Sequence, residues 1–362
     1  MNEDVRSNRI GQQPNGSESL LRYWLRFALL PILLILLAFW VSGVGQFRVT
    51  YETIARLWVA PFHPQAAAGI DDTLRYIVIH VRLARICLAL LVGAALSLAG
   101  VVYQGVLRNP LADPFTLGVS SGAAFAAALA ILLGWGSLPF FGFSALPLVA
   151  FCGAMLALYL VYLLGRLDGR VHPTTLVLAG IIVSTFLSAW ISLLKSLNQD
   201  SISTIVLWIM GSLSGKSWLH VMLLAPYVLV GLTVVLFYTR ELDLFSLGDI
   251  QAQQLGVNVA HTRLCLLLAA SLMTAAAVSV SGVIGFVGLV VPHLVRLVLG
   301  PLHRRLLPAA ILIGGVLVLI ADTLARSLLP RGEELPVGVV TAIMGGPFFC
   351  YLLLRRKKAV GL

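Results

Sequence analysis

Charged residues are scarce in this chain. Asp, Glu, Lys and Arg together make up 11% of its 362 residues, under half of the roughly one quarter typical of soluble globular domains. That shortage excludes an ordinary soluble protein of one or two domains. Cysteine is sparse too. Cys87, Cys152, Cys265 and Cys350 stand singly inside apolar runs, so they read as small core residues and leave the redox compartment open. The seven histidines show no H-E-x-x-H or other paired spacing, so no metal site is expected. There is no acid/base pair, nucleophile elbow or glycine-rich dinucleotide fingerprint, which leaves an intramembrane enzyme without its chemistry. One string imitates a phosphate loop: residues 211–217 read GSLSGKS. Only three residues separate its glycines, Met210 stands where the first glycine belongs and no strand precedes it, so no nucleotide site is expected there.

What the chain has in excess is hydrocarbon, with 59% hydrophobic residues and a mean hydropathy of +0.97. A helical span needs about 20 residues to cross about 30 Å of membrane interior. Ten runs qualify, near residues 24–45, 86–107, 117–134, 138–165, 174–197, 218–238, 264–280, 284–299, 306–329 and 337–354. The expected fold is an all-α polytopic membrane protein of about ten transmembrane helices. Residues 1–21 read as a polar tail, 22–356 as a single transmembrane domain and 357–362 as a basic tail. The first run starts late, is long for a signal peptide and lacks an A-x-A site after it, so it is assigned as a span. The eighth is short and contains Pro292 and His293, the latter either a helix-packing hydrogen bond or a substrate ligand.

The net charge of +10 does not imply nucleic acid, because the basic residues lie at span ends. Placing both termini in the cytosol puts sixteen of the 25 Lys and Arg residues inside, among them Arg108, Arg166, Arg170, Arg304, Arg305 and the run 355–358, as the positive-inside rule requires. On that topology three outer arginines stand out. Arg82 and Arg85 share a face at the start of the second span, where they either snorkel to the interface or receive acidic residues of a delivered protein. Arg326 lies four residues after Asp322, a spacing that suits an intrahelical ion pair. The charges cluster at span ends and not at midplane depth, where an ion-gradient-driven secondary transporter would want them.

Thirty-three glycines, some spaced as in Gly118-x-x-x-Gly122, allow close helix packing where lipid supplies no hydrophobic force. AGVVYQGVLRNP and SGVIGFVGLVVP share a glycine and proline rhythm that suggests an internal repeat. The longest polar interruption after the first outer segment is RELDLFSLGDIQAQQLGVNVAHTR, residues 240–263. At about 100° per residue, Leu244, Leu247, Ile250 and Leu255 share one helical face, with Asp249, Ala252 and Gln253 on the other. A short amphipathic cytosolic helix is predicted, bracketed by Gly248 and Gly256. It reads either as a loop resting on headgroups or as a docking element for a soluble partner.

Several stretches together resemble the FecCD-type permeases of ABC importers for ferric siderophores, haem and cobalamin. They are VRLARICLALLVGAALSLAGVVYQGVLRNPLADPFTLGVSSGAA, ELDLFSLGDIQAQQLGV, VSGVIGFVGLVVPHLVR, VLIADTLAR and ELPVGVVTAIMGGPFF, collinear over about residues 74–356. The resemblance implies a ten-helix subunit of a homodimer in a bacterial or archaeal cytoplasmic membrane. It implies two ABC ATPase subunits that bind ATP and Mg, a periplasmic or lipoprotein substrate-binding protein, and no cofactor or catalytic site in this chain. Carried over by motif, Leu247, Gly248, Asp249, Ala252, Leu255 and Gly256 become ATPase contacts on a coupling helix. Asn109 and Leu111 become cytoplasmic gate residues, and Arg82, Arg85 and Arg326 become the docking arginines for the binding protein. The implied cargo is an iron chelate, with cobalamin as the alternative. Ala84 departs from the family, which commonly has proline between the two arginines.

Overall fold

The computed structural model describes residues 31–45, 47–135, 139–140, 143–167, 170–330 and 333–360. The expected polar tail, the first seven residues of the first expected span, Arg331 and the last two residues lie outside these.

Among the described residues, six helices are long and apolar enough to cross a membrane: α3 (Asp72–Val106), α5 (Leu146–Leu164), α6 (Pro173–Leu197), α8 (Trp218–Phe237), α11 (Val259–Ser281) and α13 (His303–Ala325). Shorter apolar helices occupy the four remaining expected spans: α1 (Pro31–Gly43), α4 (Val119–Leu132), α12 (Val287–Leu299) and the Val337–Tyr351 part of α14 (Val337–Val360). The described residues also form four small α-helices, α2 (Tyr51–Val59), α7 (Ile202–Ile209), α9 (Thr239–Phe245) and α10 (Asp249–Gln254), and a single 3-10 turn at Pro64–Ala67. Two hairpins of two-residue strands also occur, Pro139–Phe140 with Phe143–Ser144 and Arg166–Leu167 with Arg170–Val171.

The centre of the bundle is α3. In its most apolar window 83% of residues are buried, and in α11 78%, against 28% in α5 and α8, where leucines such as Leu156, Leu164 and Leu229 are exposed. Small residues make this possible. A Cβ on Gly93 would run into the carbonyl of Gly314 in α13, and one on Gly100 into that of Gly288 in α12, so α3 touches both neighbours backbone to backbone.

Two expected boundaries are corrected. The second span starts near residue 72 and not 86: Asp71 caps it by accepting from the backbone N–H of Thr73 and Leu74, and the helix passes through widened π turns at Ile77–Leu83. Its charged first turns hid it from hydropathy. The fourth begins at Leu146, eight residues late, because the chain first forms the Pro139–Ser144 hairpin. The shortness of α12 has a visible cause: Gly282 and Phe286 both take positive φ, 69° and 68°, and break the chain before the helix can start.

Candidate functional site

The two ends of α3 define two faces. The face at its C-terminal end, here the lower face, carries the 240–263 segment and the RNPLADP turn. The segment is not the one helix predicted. It folds as α9 and α10, separated at Gly248, whose φ of 111° lies in a region favourable to glycine. The C-terminal end of α10 is a Schellman motif. Gly256 takes φ 88° and its N–H bonds to the carbonyl of Gln253, while that of Val257 bonds to Ala252. Asn258 then caps α11 by accepting from the N–H of His261. The kink also changes the faces. Ala252, placed on the polar side by periodicity, is fully buried with Leu242 and Phe245, while Leu247, Ile250 and Leu255 are 56%, 68% and 55% exposed.

Asp249 holds this arrangement. Both its oxygens accept from Nη2 of Arg263 at 2.9 Å, and Nη2 of Arg108 stands 3.5 Å away. Arg263 is itself buried, donates from Nη1 to the carbonyl of Val171 at 3.0 Å and lies over the Phe245 ring. One guanidinium thereby ties α10, α11, α9 and the Arg170–Val171 strand together. Asp243 links the same region to α13 by accepting from both the backbone N–H and Nδ1 of His303.

The RNPLADP turn begins with Arg108 at φ 49°, a left-handed conformation that costs a non-glycine residue about 1–2 kcal/mol. Two successive Asx turns then fix the loop. Asn109 Oδ1 accepts from the N–H of Leu111, and Asp113 Oδ1 from those of Phe115 and Thr116. Burial pushes the Asp113 carboxyl up to about 6, against the pull of those two backbone donors. Asn109 is half-buried and Leu111 is 45% exposed.

At the upper face the three arginines have partners in their own chain. Arg82 is buried and donates to the carbonyls of Ser42, at 2.5 Å, and Phe47, which closes the C-terminal end of α1. Arg85 is the hub. Its Nε and Nη2 donate to Asp322 at 2.9–3.1 Å, and Nη1 and Nη2 donate to Glu334 at 2.9 Å. Arg326, the partner that spacing assigned to Asp322, is 3.9 Å from it and donates to the Val41 carbonyl at 3.4 Å. Burial alone would raise the Glu334 carboxyl. The hydrogen bond and charge of Arg85, with a bond from Ser214, more than offset this and hold it below its ordinary 4.5. Arg82, Arg85, Arg326 and Glu334 line a cavity of about 260 Å³ with Phe47 and Val81. The GSLSGKS segment lies beside it as a loop, with Ser217 and His220 capping α8 and Trp218 donating to the Ile79 carbonyl.

The model of the FecCD transport family matches residues 32–355, almost the entire described chain. The chain belongs to the FecCD transport family. Within it, the cobalamin import permease BtuC of Halobacterium salinarum is 45% identical over 289 residues, covering 80% of this chain and 76% of that protein. The hemin transport permease HmuU of Yersinia pestis is 38% identical over 335 residues, covering 92% and 96%. Among solved structures, one described as an inward-facing metal-chelate-type ABC transporter matches with a TM-score of 0.76 at 34% identity, covering 91% of this chain and 98% of that one. This FecCD protein therefore shares its fold over 91% of its length with a transporter of known structure, and both faces described above lie inside the residues matched by the family model.

Proposed function

We propose that this FecCD protein is the membrane-spanning subunit of an ATP-driven importer, working as a homodimer by alternating access. The observation that carries the reading is the family match across residues 32–355. Two ATPase subunits bind ATP and Mg in the cytosol, and the permease has no catalytic site of its own. The lower face is the cytosolic one, and both termini lie on that side of the cytoplasmic membrane. Exposed Leu247, Ile250, Leu255 and Gly256 meet the ATPase, while Gly248, Asp249 and Ala252 shape the segment from within. Asn109 and Leu111 close the path on that side.

At the upper face a periplasmic or lipoprotein substrate-binding protein docks. Arg82, Arg85 and Arg326 carry three positive charges against the two of Asp322 and Glu334, so the cavity keeps a net charge that suits a carboxylate. Each conformation is stabilised by a different partner, the loaded binding protein above or the nucleotide-bound ATPase below, which is what a ligand must do to shift an equilibrium. The cargo is an iron chelate, a ferric siderophore or haem. The haem permease supports this by matching over nearly its full length. The cobalamin permease, at higher identity over less of the chain, keeps cobalamin as the second reading.

The docking assignment is tested by co-purification. Burying a leucine-sized side chain contributes about 1.5–3 kcal/mol, so Ile250→Asp with Leu255→Asp should cut ATPase affinity at least about 100-fold, with membrane insertion unchanged. Undiminished co-purification of the ATPase would refute it.

A further inference from the structure

We infer that Arg108 and Asp249 form the link through which movement of α10 reaches the gate turn. The inference rests on the proposed reading of α9–α10 as the ATPase-docking segment and of the turn after α3 as the gate. It goes beyond that reading by assigning two positioning residues and the direction of the coupling.

The geometry divides the Asp249 carboxylate between a fixed arm and a movable one. The fixed arm is Arg263, whose side chain is 6% exposed and is held by the Val171 carbonyl and the Phe245 ring. The movable arm is Arg108, whose side chain is 43% exposed and reaches Oδ1 at 3.5 Å. A second contact supports this arm: Nη1 of Arg108 would lie 3.4 Å from a Cβ on Gly248, so the guanidinium rests on the hinge between α9 and α10. At its other end Arg108 is the residue before Asn109, and its φ of 49° makes it the point where the backbone leaves α3 to begin the gate turn.

A shift of α10 therefore pulls on the residue that sets the angle between α3 and the turn. The turn itself is stiff, braced by the Asn109 and Asp113 side chains, so it responds as a unit. Thr116 extends that unit: its carbonyl lies so close to Gly180 of α6 that a Cβ there would overlap it. The coupling is electrostatic and directional, and a neutral side chain at 108 removes it while leaving the Asp249–Arg263 pair that shapes the docking segment.

The test follows the gate without needing the cargo. Leu111→Cys is introduced into a chain whose Cys87, Cys152, Cys265 and Cys350 are replaced, assembled with its ATPase in liposomes. Labelling by a bulky maleimide is timed without nucleotide and after trapping with Mg-ATP and vanadate. With Arg108 intact, trapping should change the rate about fivefold, the lower end of ordinary allosteric coupling. Arg108→Gln should shrink that change to under about twofold, with the ATPase still bound and the nucleotide still trapped. Arg108→Lys, which keeps the charge, should retain most of it. Full retention of the change in Arg108→Gln would overturn the relay alone. If Arg108-intact protein binds its ATPase but shows no change, the gate assignment and the relay both fall. If no ATPase associates, the docking reading falls with them.

Discussion

Replacing Asp322 by asparagine should destabilise the protein more than any other single-atom change at the upper face. The Asp322 side chain is 1% exposed and that of Arg85 10%, so neither charge has water to fall back on. Asparagine keeps the shape and one accepting oxygen but removes the charge and the second acceptor, leaving Glu334 as the remaining carboxylate against the buried guanidinium. Breaking a buried pair by removing one partner costs about 3–5 kcal/mol. Because Glu334 remains, the lower end, about 3 kcal/mol, is expected here. Unfolding of the purified protein by SDS in mixed micelles measures it. The double variant Arg85→Met with Asp322→Leu, which removes both charges and fills the space, should be more stable than the sum of the single effects predicts by about 2 kcal/mol. An Asp322→Asn protein within about 0.5 kcal/mol of wild type, the scatter of ordinary surface changes, would refute the claim that this network holds α3 to α13.

Three further outcomes follow from the same geometry. Glu334 titrates below its ordinary 4.5 in the folded protein, so its stabilising contribution is present above that pH and is lost as pH falls through the lower folded value; Glu334→Gln should abolish this acid-dependent loss in thermal melts. The Asp113 carboxyl, pushed up to about 6, behaves oppositely: its burial cost is absent at low pH and grows as pH rises from 3.8 toward 6. Asp113→Asn, whose Oδ1 can still accept from Phe115 and Thr116, should therefore unfold at the same temperature as wild type or higher at pH 7, and at pH 4 the difference should vanish. Gly100→Val would drive a side chain into the Gly288 carbonyl; overpacking of this kind costs about 1–3 kcal/mol or more, and the variant should lose thermal stability in detergent while Gly134→Val, where a Cβ meets nothing, pays only for its backbone conformation.

The apolar runs were legible because hydrocarbon is the signal itself: each of the ten apolar helices among the described residues falls on an expected span. Where the reading slipped, a polar interaction had overridden hydropathy. The first turns of α3 carry Arg75, His80, Arg82 and Arg85, which look like a loop until their partners are known. For Arg85 those partners lie 237 and 249 residues away, beyond the reach of any local spacing rule. The i, i+4 rule paired Asp322 with Arg326, and the fold keeps that pair at 3.9 Å while giving the hydrogen bonds of the carboxylate to Arg85. Periodicity failed across 240–263 because it assumes an unbroken helix, whereas Gly248 turns the chain and rotates Ala252 inward. Spacing puts Asp249 on the polar face of a helix, yet its partners, Arg263 and Arg108, put it between elements and not on an open face. The arginines at the upper face stand out in the sequence by their position at span ends, while their internal bonds could come only from the fold.

The central claim is that this FecCD protein moves its cargo at the expense of ATP. Uptake by proteoliposomes containing the permease, its partner ATPase and the substrate-binding protein tests it most directly, with ferric citrate, haem and cobalamin supplied in turn. The account predicts uptake of an iron chelate that requires internal ATP, stops with vanadate and is indifferent to ionophores that collapse proton and sodium gradients. Uptake that proceeds without ATP and disappears with the ionophores would contradict it.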